Sequence, residues 1–307
     1  MRVTRLNWVI AIAIIFPASL ALPLRCGAGA PAAEAISEGY ATTSSGVKIH
    51  YLQSGDIHST RALVLIPGWR LPAYLWNEQL KQFASSVRVI AIDPRSQGAS
   101  TKTADGNTPE MRASDLHDVL GQLKISSVAL VGWSQGAQDV SAYVQQFGDA
   151  SVAGIVLVDS PVSAGLEELN IHKELSKAMI SVMSLYANHP AESSQDMVRS
   201  IFKKPHPDLD LAKLASDTQQ TPTNTGVAML VADIFGADRR PALAKFGKPA
   251  LVIASGESRL LDEQKEMQKT MSHSTLVIVP DANHAVFVDE PEMFDAALKT
   301  FLDSLRW

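Results

Sequence analysis

Val128-Ala129-Leu130-Val131-Gly132-Trp133-Ser134-Gln135-Gly136-Ala137-Gln138-Asp139 is the stretch on which the reading of this chain turns. Val128 to Val131 form a short apolar run of the kind that makes a buried strand. Ala137 to Phe147 reads as a helix with an apolar stripe of Ala137, Val140, Ala142, Val144 and Phe147. Between the two lies Gly132-Trp133-Ser134-Gln135-Gly136, so Ser134 sits on a sharp strand-to-helix turn. Glycines two residues to either side of the serine suit such a turn, because a Cβ at those places collides with the adjoining strand or helix. A helix that starts at the serine also directs free N–H groups and its positive dipole end at any oxyanion formed there.

This G-x-S-x-G turn between a strand and a helix resembles the nucleophile elbow of the α/β-hydrolase fold. The resemblance implies an α/β architecture: a doubly wound, mostly parallel sheet with a helical cap inserted between two core strands. It also implies a serine nucleophile, a histidine base and a carboxylate, and it requires no metal or organic cofactor.

The remainder of the 307 residues can be set beside that expectation. Hydrophobic residues make up 46% and charged residues 19%, a balance suited to a globular core and not to disorder. The formal net charge is −5, and no basic cluster occurs, which excludes nucleic acid as an expected partner. No internal repeat is visible.

Residues 1–30 read as an export signal. Arg2 and Arg5 precede an apolar run from Trp8 to Leu22, and Ala28-Gly29-Ala30 offers small residues for cleavage before Pro31. An uncleaved anchor is the rival, although the run is short for a span. Cys26, the one cysteine, follows Arg25, where a lipid-attachment signal needs a small residue. Cleavage at Ala30 leaves no cysteine and no disulfide. The expected destination is the periplasm or the exterior, with no stable membrane insertion after cleavage.

Beyond the signal the expected organisation is a first core segment over 31–161, a helical cap over 162–241 and a second core segment over 242–307. Gly39 to Gln53 reads as a hairpin with His50 facing solvent. Ala62 to Pro67 reads as a central strand, Tyr74 to Phe83 as a helix and Val87 to Ile92 as a strand. Asp93, Arg95 and Ser100 are read as structural turn residues. Thr108-Pro109-Glu110 opens a helix running to about Leu123. Gly154 to Val158 is another buried strand, ending at Asp159. From Val162 to Pro241 no convincing strand appears, and helical pieces are expected up to Leu185, near Met197 to Phe202 and over Val227 to Phe235. Its methionines, Met179, Met183 and Met229, are candidates to line an adaptable apolar pocket or to pack the cap on the core. His206-Pro207-Asp208-Leu209-Asp210 has a metal-like look, but no further ligand cluster accompanies it.

The resemblance assigns roles residue by residue. Pro67-Gly68-Trp69 stands where the family carries His-Gly and an apolar residue, so the oxyanion hole falls to the backbone N–H groups of Trp69 and Gln135. Pro280-Asp281-Ala282-Asn283-His284 resembles the family's histidine loop, which makes His284 the base. The acid is the departure. The family places an aspartate three residues after the glycine that here is Gly256, and this chain has Arg259 there. Asp159 is the preferred substitute, since some family members carry the acid at the end of that strand. Glu257 is the rival, Asp281 a poorer one, and absence of an acid stays open.

The implied activity is that of an exported serine hydrolase cleaving a carboxylic ester or lactone, with a small-molecule substrate. Perhydrolase or haloperoxidase-like activity without a cofactor, C–C bond hydrolysis, and an inactive binding protein on the same fold remain alternatives. The sequence does not specify an oligomeric state.

Overall fold

The computed structural model describes residues 35–307; the expected export signal lies outside the described residues. Eight strands form one sheet: β1 (Ser37–Thr42), β2 (Lys48–Ser54), β3 (Arg61–Ile66), β4 (Arg88–Ile92), β5 (Ser127–Trp133), β6 (Val152–Val158), β7 (Ala250–Ser255) and β8 (Ser274–Val279). Their order across the sheet is β1-β2-β4-β3-β5-β6-β7-β8. The β1–β2 and β2–β4 pairs are antiparallel; every other pairing is parallel.

The central strands are apolar throughout because both faces of the sheet are covered. In β5 the pleat sends Ala129, Val131 and Trp133 to one core and Val128 and Leu130 to the other. The first core is closed by α1 (Asn77–Phe83), through Leu80 and Phe83, and by the C-terminal helix, through Phe294, Leu298 and Phe301. The second is closed by α2 (Pro109–Gln122), through Leu116 and Val119, and by α3 (Gln135–Phe147), through Val140 and Tyr143. Thr108 caps α2 by accepting from the Met111 N–H.

Between β6 and β7 the chain leaves the sheet for six helices: α4 (Glu168–Ile171), α5 (Lys173–Asn188), α6 (Pro190–Ser200), α7 (Leu211–Thr218), α8 (Thr223–Phe235) and α9 (Arg240–Ala244). This is the helical insertion of the expected fold, and the expected boundary at 241 falls inside α9. Val198, Ile201, Phe202 and Leu214 join the first core, so the insertion is packed on the sheet domain by apolar contact. The chain ends with α10 (Leu261–Thr270), α11 (Val286–Asp289) and α12 (Pro291–Ser304). No helix among the described residues is long and apolar enough to cross a membrane.

Three local expectations need correction. His50 does not face solvent: it is buried, with Nδ1 2.8 Å from Asp93 Oδ2, because the Asp93 turn folds over β2. The segment before α1 opens as a tight 3₁₀ turn over Ala73–Trp76. Helix α7 was not anticipated, although Asp210 announces it: its side chain accepts from the Lys213 N–H at 2.9 Å, and Leu214 and Ala215 are buried.

Candidate active site

The turn after β5 holds Ser134 at φ 55°, ψ −115°, a left-handed backbone that costs a non-glycine residue about 1–3 kcal/mol. Close packing on both sides enforces it. A Cβ on Gly132 would lie 2.2 Å from the Gly136 carbonyl oxygen, and one on Gly136 would lie 2.6 Å from that of Ile66. The strand, the turn and α3 therefore meet at glycine-only distances, and Ser134 is left partly exposed at the carboxyl end of the sheet. Among the described residues its hydroxyl has no hydrogen-bond partner.

His284 follows β8. Its carbonyl accepts from the Trp133 indole N–H at 2.8 Å, which ties the histidine loop to the residue before the serine. Its Nδ1 lies 2.7 Å from Asp159 Oδ2. Asp159 directly follows β6 in a left-handed conformation, φ 45°, and is buried. Its Oδ1 accepts from the Ser255 N–H at 2.9 Å and from Gln264 Nε2 at 3.2 Å. Held by these two donors on Oδ1, the carboxylate presents its other oxygen to the imidazole. The rival acids stand elsewhere. Glu257 pairs with Lys203, and Asp281 with Lys203 and Lys204, all toward solvent.

Ser134, His284 and Asp159 line one cavity of about 280 Å³, together with Trp69 and Gln135. Gly68 brings the loop after β3 against the serine: a Cβ there would lie 3.2 Å from Ser134 Cβ. Gln135 is the first residue of α3, where a backbone N–H has no acceptor within the helix. Trp69 is anchored through its side chain, the indole N–H donating to the Gly226 carbonyl on α8 at 2.9 Å. Next to it, the guanidinium of Arg70 lies 3.9 Å from the Trp69 ring centroid and 4.0 Å from that of Tyr186 on α5. Arg70 is 1% exposed, and Nη1 donates to Ser194 Oγ at 2.9 Å and to the Thr218 carbonyl. Burial lowers its pKa to about 10, against a partial counter-effect from Tyr186.

The insertion supplies the cavity's far wall through Leu175, Met179 and Leu230, with the polar residues Glu168, Ser176 and Asp233 among them. Of the three candidate methionines Met179 lines the cavity; Met183 and Met229 are buried in packing. His206 is not grouped with Asp208 or Asp210: its Nε2 meets Asp289 Oδ1 at 2.8 Å, and that carboxylate also accepts from the Asn283 N–H beside His284.

The sequence reading missed a buried charge cluster next to the serine. Arg112 on α2 reaches Asp139 on α3, with Nε 2.8 Å from Oδ1, and Asp233 on α8, with Nη2 2.5 Å from Oδ1. With its amide oxygen turned toward the same guanidinium, Gln135 accepts from Arg112 at 3.0 Å. Burial drives the Asp233 carboxyl up to about 7; Arg112 opposes this, and neighbouring Asp139 adds to it. The signal was present as single charges within otherwise apolar helix faces, such as Asp233 inside Val227-Ala-Met-Leu-Val-Ala-Asp-Ile-Phe235.

A mostly parallel sheet with a helical insertion over its carboxyl edge, and a strained serine turn under that insertion, define an enzyme of the α/β-hydrolase class. Residues 63–297 match the alpha/beta hydrolase family, and the chain belongs to it. It is similar to the N-formylmaleamate deformylase of Pseudomonas putida, 26% identical over 264 residues that cover 85% of this chain and 95% of that protein. Over a shorter stretch it is 32% identical to the bifunctional esterase/perhydrolase of Acinetobacter calcoaceticus: 123 residues, 40% of this chain and 44% of that protein. Among solved structures, the bromoperoxidase of Bacillus anthracis superposes with a TM-score of 0.77 at 22% identity, covering 87% of this chain and all of that one.

Proposed function

We propose that this chain is a serine hydrolase that cleaves a carboxylic ester or lactone through an acyl-enzyme. The observation that carries the reading is the 2.7 Å pairing of His284 Nδ1 with buried Asp159, in the cavity that Ser134 also lines. In this reading Ser134 Oγ attacks the substrate carbonyl carbon while its proton passes to His284 Nε2. Asp159 keeps Nδ1 protonated and stabilises the imidazolium. The Trp69 and Gln135 N–H groups receive the oxyanion as the tetrahedral intermediate forms. His284 then returns the proton to the departing alcohol, and water repeats the sequence to free the acid. The hydroxyl of Ser134 lacks a partner among the described residues; such contacts commonly close only around substrate.

The test is an ester and lactone panel on purified protein. Ser134→Ala is expected to stay folded and to lose roughly 10³-fold or more in turnover. Wild-type activity in that variant would sink the reading. Labelling of Ser134 by a fluorophosphonate separates an enzyme from a binding protein. A perhydrolase reading is favoured by the Acinetobacter relative, whose name records both activities; adding hydrogen peroxide and a peracid reporter to the same panel distinguishes the two.

Export to the periplasm or the exterior belongs to the same proposal, supported by Ala28-Gly29-Ala30 after an apolar run. N-terminal sequencing from the native host is expected to read from Pro31; recovery of Met1 would sink it.

A further inference from the structure

Asp233 has an oxygen that nothing among the described residues uses. It lies on the insertion helix α8, is 4% exposed and lines the cavity that holds Ser134. Its Oδ1 takes the Arg112 guanidinium, while Oδ2 has no hydrogen-bond partner among the described residues. Gln138, Ser176 and Glu168, which line the same cavity, each have partners. Gln138 donates to the Pro161 carbonyl at 2.9 Å and accepts from the Ser163 N–H at 3.1 Å. Ser176 donates to the Glu168 carbonyl at 2.9 Å, and Glu168 accepts from the Ala164 N–H and meets His172, both at 2.6 Å.

The charges are unbalanced at the same place. Asp139 already holds Arg112 through two contacts, at 2.8 and 3.0 Å, and one carboxylate neutralises one guanidinium. Asp233 is a second carboxylate on that cation. The neighbouring Arg239–Glu110 pair is balanced within itself. A buried carboxylate oxygen without a donor carries a desolvation cost, and a native fold that keeps one has a use for it or fills it. A hydrogen-bond donor delivered into the cavity meets both needs. It satisfies Oδ2, and if cationic it also neutralises the surplus charge.

We propose that Asp233 is a substrate-recognition residue that takes a hydroxyl or ammonium group on the substrate, so that the site selects hydroxy- or amino-bearing esters over their plain hydrocarbon counterparts. The proposal rests on the serine-hydrolase reading for its reaction, but not for its binding. The aliphatic residues Leu175, Met179 and Leu230 cover the stem of such a molecule, and Asp233 receives its polar end. Burial raises the Asp233 carboxyl to about 7, in the direction expected of a carboxylate short of donors. Because Gln135 shares the Arg112 guanidinium with Asp233, the recognition point is coupled through one side chain to the residue that follows the nucleophile.

Binding can be read without turnover. Amides of ω-hydroxy and ω-amino acids of four to eight carbons are titrated calorimetrically against the protein beside ω-methyl amides of equal length. At its best length the wild-type chain is expected to hold a donor-bearing amide roughly tenfold or more tighter than the methyl amide, the range of a hydrogen bond to a charged group. Preference for the amino series marks an ammonium and preference for the hydroxy series a neutral donor. Asp233→Asn, with Asp233→Leu as a second variant, is expected to bring the ratio close to one; thermal melts establish that each is folded. Equal affinities across the series in the wild-type chain, none measurable included, overturn the proposal, as does a preference that persists in both variants. Failure of fluorophosphonate to label Ser134 overturns the hydrolase reading alone and leaves this comparison standing.

Discussion

Asp159 and Ser255 are joined across the sheet: the Ser255 N–H at the end of β7 donates to Asp159 Oδ1 at the end of β6, at 2.9 Å. The loop after β7 is where the family places its acid. In this chain that loop anchors a carboxylate that comes from the neighbouring strand. Ser255 contributes further, its hydroxyl donating to the Ala282 carbonyl at 2.6 Å in the histidine loop. Asp159 and the histidine loop are thus both tied to Ser255.

The first prediction follows from that arrangement. Asp159→Asn is expected to lower turnover by roughly 10³–10⁴-fold with little change in substrate binding, because the amide favours the wrong imidazole tautomer. Glu257→Gln is expected to be near wild type, since Glu257 faces solvent and Lys203. Steady-state kinetics of both variants decide the matter, and the reverse pattern places the acid after β7.

Glycine substitutions separate steric need from chance. Gly132→Ala and Gly136→Ala each force a Cβ against backbone, at 2.2 and 2.6 Å. Each is expected to destabilise the protein by about 1–3 kcal/mol or to abolish soluble expression. Gly121→Ala, in α2 with nothing within 4 Å, is expected to stabilise by about 0.5–1 kcal/mol. Urea unfolding measures all three; a harmless Gly132→Ala contradicts the packing described.

Stability should respond to pH through Asp233. Its carboxyl rises from an ordinary 3.8 to about 7 on folding, so between those values the native state binds more protons than the unfolded chain. The stability this contributes is present below about pH 4 and is lost as pH rises through 7. The surrounding groups are Arg112, Asp139, Arg239 and Glu110. The melting temperature of wild type relative to Asp233→Asn is expected to fall steadily from pH 4.5 to 7.5. Thermal melts across that range check it, and a gap that is constant or moves the other way counts against the shift.

Much of the fold was legible because parallel strands buried on both faces are written as short apolar runs. Ala62–Ile66 and Val128–Val131 left little choice. Ser134 was legible because its glycines are spaced by sterics. His50 was misread because strand alternation shows which residues share a face, but not that the Asp93 turn returns to cover one of them. Helix α7 is two turns long, too short for periodicity to show, and only its capping Asp210 marked it. The Arg112–Asp139–Asp233 cluster joins two successive helices to a third more than ninety residues along the chain. No local pattern encodes such a meeting; a lone charge in an apolar stretch was the available trace.

The Arg70 sandwich has a mechanical consequence. Trp69 and Arg70 belong to the loop beneath the serine, while Tyr186, Ser194, Thr218 and Gly226 belong to four different helices of the insertion. Lifting those helices breaks the indole hydrogen bond and strips a buried cation of its Tyr186 face and of its Ser194 and Thr218 acceptors at once. Lid and loop therefore share one latch. Any displacement of those helices would disturb the loop beside the serine as well.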